Sequence, residues 1–345
     1  MHILICSPEH NEATGNWVTA NRYRRGLEAM GHRVTLCHVS PTAHGAVEHS
    51  LLAVVQRVQP DLLLLLHAYR LGRLWLEQRA KILCPVLVML SGTDINEGLQ
   101  NPEQVGVIEE VLQRADGLIS HNELTVAALK QSYPDVAARL HYLPAAIELG
   151  EGAYPLRQKL NIAESCVLFL CPASIRPIKG VLQLIELFDQ LPVDHDSWQL
   201  AFCGPELDDQ YGHHFHRAVD VREWVHYLGV VAPDAMPAAM KQADVIVNNS
   251  ISEGLPNALI EASVLGRPIL ANDILGNRPL VDHGVNGFLY ADKKQFCQFA
   301  AMMIHDTKRR EQLSQPRPER YHVDREREEL NRICCMIYRA AKGSE

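Results

Sequence analysis

Five consecutive leucines, Leu62–Leu66, constrain the fold of this chain more than any other feature. Pro60-Asp61 precede them and His67 follows. The run is far too short to cross a bilayer and has no polar alternation, so it suits a strand buried on both faces. Such strands belong to parallel sheets with helices packed on either side. His2–Ser7, Val86–Leu90 and Gly117–Ser120 are similar short apolar runs, and Arg33–Val39 reads as a further strand. Between them lie helical patterns. Apolar residues at 17, 20, 23, 27 and 30 predict a helix over Trp17–Met30, closed by Gly31. Further helices are predicted at Val47–Val58, Val105–Arg114 and Glu123–Gln131. Alternation of this kind predicts a doubly wound α/β sheet, with ligands beyond the carboxyl ends of the strands.

The alternation lapses at residues 144–160, where Pro144, Gly150, Gly152 and Pro155 cluster, and this stretch reads as a linker. It then restarts. Strands are predicted at Cys166–Cys171, Gln199–Cys203, Val245–Asn248 and Pro268–Asn272, and helices at Gly180–Leu191, Asp234–Ala243 and Pro256–Leu265. A chain of 345 residues is long for one hydrophobic core. The expectation is two Rossmann-like domains facing a cleft, 1–150 and 160–322. A charged helix at 325–340, apolar at Leu330, Ile333, Cys334 and Ile337, is expected to complete the first.

Composition narrows the function classes. A net charge of −8 argues against a chain-wide nucleic-acid footprint. Nine cysteines without a C-x-x-C pair, mostly in apolar runs, read as buried reduced thiols and suit a cytoplasmic setting. Neither a signal peptide nor an integral membrane segment is expected, although peripheral membrane contact remains compatible with the sequence. Nothing in the sequence indicates an oligomeric state. His213, His214 and His216 lack a carboxylate or cysteine at metal-site spacing, and their segment reads as a loop away from the ligand-binding edge.

The chemistry concentrates in Glu253-Gly-Leu-Pro-Asn-Ala-Leu-Ile-Glu261. A strand ends near Asn248, a loop carries Glu253, and a helix is predicted to begin at Pro256, whose missing N–H suits a first turn. The free amides at that helix start favour an anionic or hydroxyl-rich ligand. Glu253 can accept from sugar hydroxyls, and Glu261 can grip the paired hydroxyls of a ribose. Two glutamates eight apart also arise by chance; the strand–loop–helix setting is what gives them weight. Ala173-Ser-Ile-Arg176-Pro-Ile-Lys179-Gly180 adds two cations at another strand end, suited to a diphosphate and to the charge that develops on a departing nucleotide.

Taken in order with Gly266-Arg-Pro-Ile-Leu-Ala and His283-Gly-Val-Asn-Gly-Phe-Leu, these segments resemble the retaining GT-B glycosyltransferases of family GT4 over residues 164–292. The resemblance implies a Glu-x7-Glu donor site in which Glu253 holds the donor sugar and Glu261 the ribose. It implies a metal-independent transfer with retention, by front-face attack, and no resident cofactor. The expected donor is a UDP- or GDP-linked hexose or N-acetylhexosamine; no motif specifies the acceptor. Where the family places its arginine five residues before the lysine, this chain has Ser174, and Arg176 stands three before Lys179. Ser-Ile-Arg-Pro-Ile-Lys and Gly276-Asn277 resemble the glycosyltransferase 1 domain-containing group, and Gly15-Asn16-x-x-Thr19-Ala20 and Gly92-Thr-Asp94 more weakly resemble selenosugar synthases.

Lys179, Glu253 and His67 are therefore the catalytic candidates. Gly15, Asn16, Arg176, Gly254, Leu255, Pro256, Asn257 and Glu261 join the donor site, with Gly15-Asn16 touching phosphate from a helix start. Thr19, His67, Arg70 and Asp94 are acceptor candidates at strand ends of the first domain. The alternatives are an epimerase- or phosphorylase-like GT-B enzyme and a non-catalytic sugar-nucleotide binder.

Overall fold

The computed structural model describes residues 1–9, 14–40 and 50–343. The chain divides into two compact units, Met1–Ala146 with His322–Glu345, and Ile147–Tyr321.

In unit 1, six parallel strands lie in the order β2-β1-β3-β4-β5-β6. They are β1 (His2–Ser7), β2 (Arg33–His38), β3 (Leu62–Leu66), β4 (Val86–Met89), β5 (Gly117–Ser120) and β6 (Leu140–Tyr142). The five leucines of β3 are fully buried and divide by parity. Leu63 and Leu65 enter one apolar core, and Leu62, Leu64 and Leu66 enter the core on the opposite face. That is the period-2 geometry of a strand covered on both sides. Helices α1 (Gly15–Ala29), α2 (Leu51–Val58), α3 (Arg70–Gln78), α4 (Thr93–Asn96), α5 (Val105–Arg114) and α6 (Glu123–Ser132) connect them. The part of the second expected helix before residue 50 falls outside the described residues.

Unit 2 repeats the plan with β7 (Val167–Pro172), β8 (Trp198–Cys203), β9 (Val225–Tyr227), β10 (Val245–Asn248), β11 (Ile269–Asn272) and β12 (Gly287–Tyr290). All pair in parallel, in the order β12-β11-β10-β7-β8-β9. Its helices are α7 (Leu156–Leu160), α8 (Val181–Phe188), α9 (Asp209–Asp220), α10 (Met236–Gln242), α11 (Asn257–Leu265), α12 (Lys293–His305) and α13 (Thr307–Leu313). The stretch expected to be a linker is tied to this unit. Gly152 N–H donates to the Asp234 carbonyl at 3.0 Å, and Arg157 of α7 pairs with Asp244 at 2.5 Å. His213, His214 and His216 lie on α9 rather than in a loop; the helix is started by Asp208, whose side chain accepts from Tyr211 N–H.

The last helix, α14 (Val323–Lys342), packs in unit 1 beside α1. Leu330, Ile333, Cys334 and Ile337 fill the same core as Tyr23 and Leu27. One charge sits on this buried stripe. Glu326 receives both Nε (2.6 Å) and Nη2 (2.9 Å) of Arg22 from α1. Beside them His121 bonds to the Leu143 carbonyl through Nδ1 at 2.9 Å and to Tyr23 Oη through Nε2 at 2.7 Å. A neutral ring with its proton on Nδ1 satisfies both bonds. Burial, the larger influence, lowers the His121 pKa despite the nearby Glu326. No helix among the described residues is long and apolar enough to cross a membrane.

Two outcomes are expected. Glu326→Ala removes the bidentate partner of the buried Arg22 guanidinium and should cost unit 1 about 3–5 kcal/mol, while Arg22→Met with Glu326→Leu recovers most of that. Native-state hydrogen exchange in α1 reads the difference; unchanged protection in Glu326→Ala would refute the pairing. His121 binds its proton more readily unfolded than folded, so its contribution is present above its unfolded pKa of about 6.5 and is lost as pH falls below it. Denaturant unfolding of wild type and His121→Gln across that range measures the term, and parallel pH curves would exclude it.

Candidate functional site

In unit 2 the chain runs outward through β7, β8 and β9, then returns to lay β10 on the other side of β7. The boundary between β7 and β10 is thus a topological switch point, where the loops leaving adjacent parallel strands part and open a crevice. Lys179 comes from the loop after β7 and Glu253 from the loop after β10.

The two meet. Lys179 Nζ donates to Glu253 Oε1 at 2.5 Å, with side chains only 16% and 12% exposed. The same oxygen accepts from Ser250 Oγ at 2.6 Å and from Asn248 Nδ2 at 3.5 Å. Burial alone would raise the Glu253 pKa. The Lys179 charge and the hydrogen bonds from Lys179, Ser250 and Asn248 outweigh it and hold the carboxyl below the ordinary range. Glu253 is therefore an anion at neutral pH.

Two glycines make room for this arrangement. Gly180, in a left-handed conformation with φ of 59°, ends the short turn Pro177–Lys179 and opens α8. A Cβ there would stand 2.4 Å from the Asn249 carbonyl oxygen. At Gly276 a Cβ would lie 2.6 Å from that of Glu253. Asparagines lock the loops around them. Asn249 Nδ2 donates to the Gly180 carbonyl at 2.7 Å and its Oδ1 accepts from Tyr290 Oη at 2.6 Å. Asn272 Nδ2 donates to the Ser250 carbonyl at 3.1 Å, and Asn277 Nδ2 donates to Asn248 Oδ1 at 3.2 Å. Sequence reasoning missed this lattice, although polar side chains placed directly after apolar strands were its visible signal.

Arg176 precedes the turn in extended backbone. Its Nε is buried and has no hydrogen-bond partner among the described residues. Gly254 and Leu255 lead to Pro256, which caps α11 rather than starting it. Its ψ of 120° is extended, and its carbonyl accepts from Leu259 N–H at 3.1 Å. Asn257 is the first helical residue. Glu261, one turn on, bears on the buried thiol of Cys203 at the end of β8. Burial chiefly, with Cys171 and Glu261, pushes that thiol up. Lys179 and Glu253 thus touch directly, whereas Glu261 lies toward β8.

The candidates of unit 1 follow β1, β3 and β4, and the switch point of its own sheet lies between β1 and β3. Gly15 and Asn16 form the first turn of α1. Thr19 is buried in that helix. His67 follows β3 with φ of 83°, a conformation rare for a residue with a side chain. Its Nδ1 accepts from Arg70 N–H at 3.2 Å, and its Nε2 lies 3.4 Å from Thr93 Oγ1. Burial lowers its pKa more than Asp94 raises it, so the ring is neutral at pH 7. Arg70 pairs with Glu9 at 2.7 Å.

Asp94, an acceptor candidate that could equally cap a helix, sits in the first turn of α4. It is fully buried, and its carboxylate receives the backbone N–H groups of Ala68 (2.7 Å), Ser91 (3.3 Å) and Gly92 (2.9 Å). It shapes the loops that carry His67. His216 pairs with Glu206 at 3.0 Å. Among the described residues no group of three or more His, Cys, Asp and Glu side chains is arranged to hold a metal ion.

Comparison with known proteins fits this geometry. Residues 155–320 match the family described as Glycosyl transferases group 1. A Xenopus tropicalis protein named glycosyltransferase 1 domain-containing protein 1 is 26% identical over 311 residues, 87% of this chain and 86% of its own length. The crystal structure of Anabaena HepE in complex with UDP and glucose superposes with a TM-score of 0.81 at 18% identity, over 97% of this chain and all of that one. WaaG, a glycosyltransferase of lipopolysaccharide biosynthesis, superposes at 0.70 and 16% identity, over 99% and 98% of the two chains. The two parallel six-stranded sheets have the fold of the GT-B glycosyltransferase structures, and the match to the glycosyl transferases group 1 family lies in residues 155–320, within unit 2.

Proposed function

We propose that this chain transfers a hexose or N-acetylhexosamine from a UDP- or GDP-linked donor to a hydroxyl acceptor, with retention and without a metal ion, in the manner of family GT4. The observation that carries the reading is the meeting of Lys179 and Glu253 at the switch point of the group 1 domain. UDP and UDP-glucose in crystals of HepE, a neighbour in fold, support a nucleotide-sugar donor. A cytoplasmic setting suits the reduced thiols.

Lys179 is paired with Glu253. A bound diphosphate gives the ammonium a second anion, and the unpartnered Arg176 Nε offers a further donor. The first amides of α11 add partial positive charge for phosphate. Glu253 accepts hydrogen bonds from the donor sugar, and Glu261 grips the ribose diol. As the glycosidic bond lengthens, negative charge accumulates on the leaving diphosphate, and Lys179 stabilises it there. A departing phosphate oxygen takes the acceptor proton as the acceptor attacks from the same face. The protein contributes position and field rather than a nucleophile. His67 in unit 1 is neutral and held in one orientation by Arg70 N–H and Thr93.

Lys179→Ala should weaken nucleoside diphosphate binding by about 1.5–3 kcal/mol, the worth of a charge-assisted hydrogen bond. Calorimetric titration measures it, and an unchanged affinity would reject the assignment. Glu253→Gln should lower transfer by about a hundredfold, the scale of losing one preorganised polar group in such a site. Product formation from a panel of nucleotide sugars reads this outcome. A wild-type protein that binds a donor and turns none over would be a sugar-nucleotide-binding protein instead.

A further inference from the structure

Glu253 is crowded on one oxygen. Oε1 takes Lys179 Nζ, Ser250 Oγ and Asn248 Nδ2. The two neutral donors cannot easily turn elsewhere. Asn248 Oδ1 is held by Ser250 N–H at 3.0 Å and Asn277 Nδ2 at 3.2 Å, and this fixes the flip of the amide and aims Nδ2 at Glu253. Ser250 is almost completely buried. Its N–H is spent on Asn248, and its carbonyl accepts from Asn272 at 3.1 Å, so its hydroxyl is the one rotor left. That hydroxyl points at the carboxylate at 2.6 Å. Gly276 allows the neighbouring loop to close behind Glu253 without a Cβ.

From this geometry we infer that Ser250 and Asn248 are positioning residues for Glu253, holding its carboxylate in a single orientation as an acceptor for sugar hydroxyls whether or not Lys179 is drawn away by a diphosphate. The inference rests on reading Glu253 as part of the donor site. It answers a difficulty in that reading. If Lys179 alone held Glu253, an incoming diphosphate that competes for the ammonium would leave a buried carboxylate poorly compensated, at high cost. Ser250 and Asn248 are neutral hydrogen-bond donors that a diphosphate does not recruit. They remain on Glu253 while Lys179 divides its charge.

Lys179 approaches Glu253 from the loop after β7, and both charges act on the Cys171 thiol of β7. Burial chiefly pushes that thiol up to about 12 and keeps it neutral. The hydrogen bonds from Ser250 and Asn248 join Lys179 in depressing the Glu253 pKa against its burial.

The test titrates Glu253 directly in the whole 345-residue chain. Carboxyl carbon NMR is used, with the resonance identified by its disappearance in Glu253→Gln. Ser250→Ala should raise the titration midpoint by about one pH unit, equivalent to one hydrogen bond to a charged group. Ser250→Thr, which keeps the hydroxyl, should restore it. The acid limb of kcat/KM for transfer should move upward with the midpoint. Ser250→Cys, of similar volume but weak as a donor, replaces the alanine variant if that one does not fold. Coincident midpoints in wild type and the donor-free variants would overturn the inference. A shifted midpoint in a protein that binds no nucleotide sugar would uphold the positioning and remove the donor reading alone.

Discussion

A strand buried on both faces can carry chemistry only at its ends. β3, with five leucines shared between two cores, is the extreme case here, and β1, β4, β5, β7 and β10 are built within the same constraint. Because all pairings in both sheets are parallel, the carboxyl ends gather along one edge of each sheet. The order in which strands are laid down then selects one place on that edge where neighbouring loops diverge. Lys179 and Glu253 occupy that place in unit 2, and His67 stands beside the corresponding place in unit 1. The positions of the polar groups follow from apolar burial before any hydrogen bond is considered.

Two largely buried ion pairs show how the same chemistry serves different ends. Arg22 and Glu326 form a bidentate pair, with side chains only 4% exposed, that ties α14 to α1. Its planar fork matches the carboxylate, and nothing is gained by opening it. Lys179 and Glu253 meet through a single contact at the mouth of a crevice. Lysine is a point charge on a flexible stem, able to turn toward another anion without leaving its loop. The first pair is a fastening and the second a rearrangeable contact, and the choice of arginine or lysine is what separates them.

Much of the fold could be read from the sequence wherever apolar pattern and element length were sufficient. β1, β3, β5, β10 and α5 have the expected boundaries, and the buried stripe of α14 is the expected one. β6 and β9, three residues each, are too short to show a period. α9 was hidden because its one large buried side chain is Phe215, set among histidines and a glycine that weaken the helical signal. β12 has four residues and opens on a glycine, too short an apolar run to show a period. Of the site, Glu253, Lys179 and their supporting loops were legible because strand-end position and charge are local features. The partners of Asn249 were not: Tyr290 is 41 residues away and Gly180 is 69. The part Asp94 plays in joining two loops was hidden likewise, since the amide it binds at Ala68 is 26 residues upstream.

The docking of α14 reorders assembly in time. Unit 2 is a continuous stretch, Ile147–Tyr321, whereas unit 1 needs both Met1–Ala146 and the segment beginning at His322. During synthesis the first sheet must therefore wait, with the face built from Tyr23, Leu27 and Leu64 still uncovered, while the whole of unit 2 is made and is free to fold. Only then does α14 emerge and seal that face. Of the two units, the one that starts first is thus the one completed last, and its exposed apolar surface in the interval is the natural target for a chaperone or for aggregation.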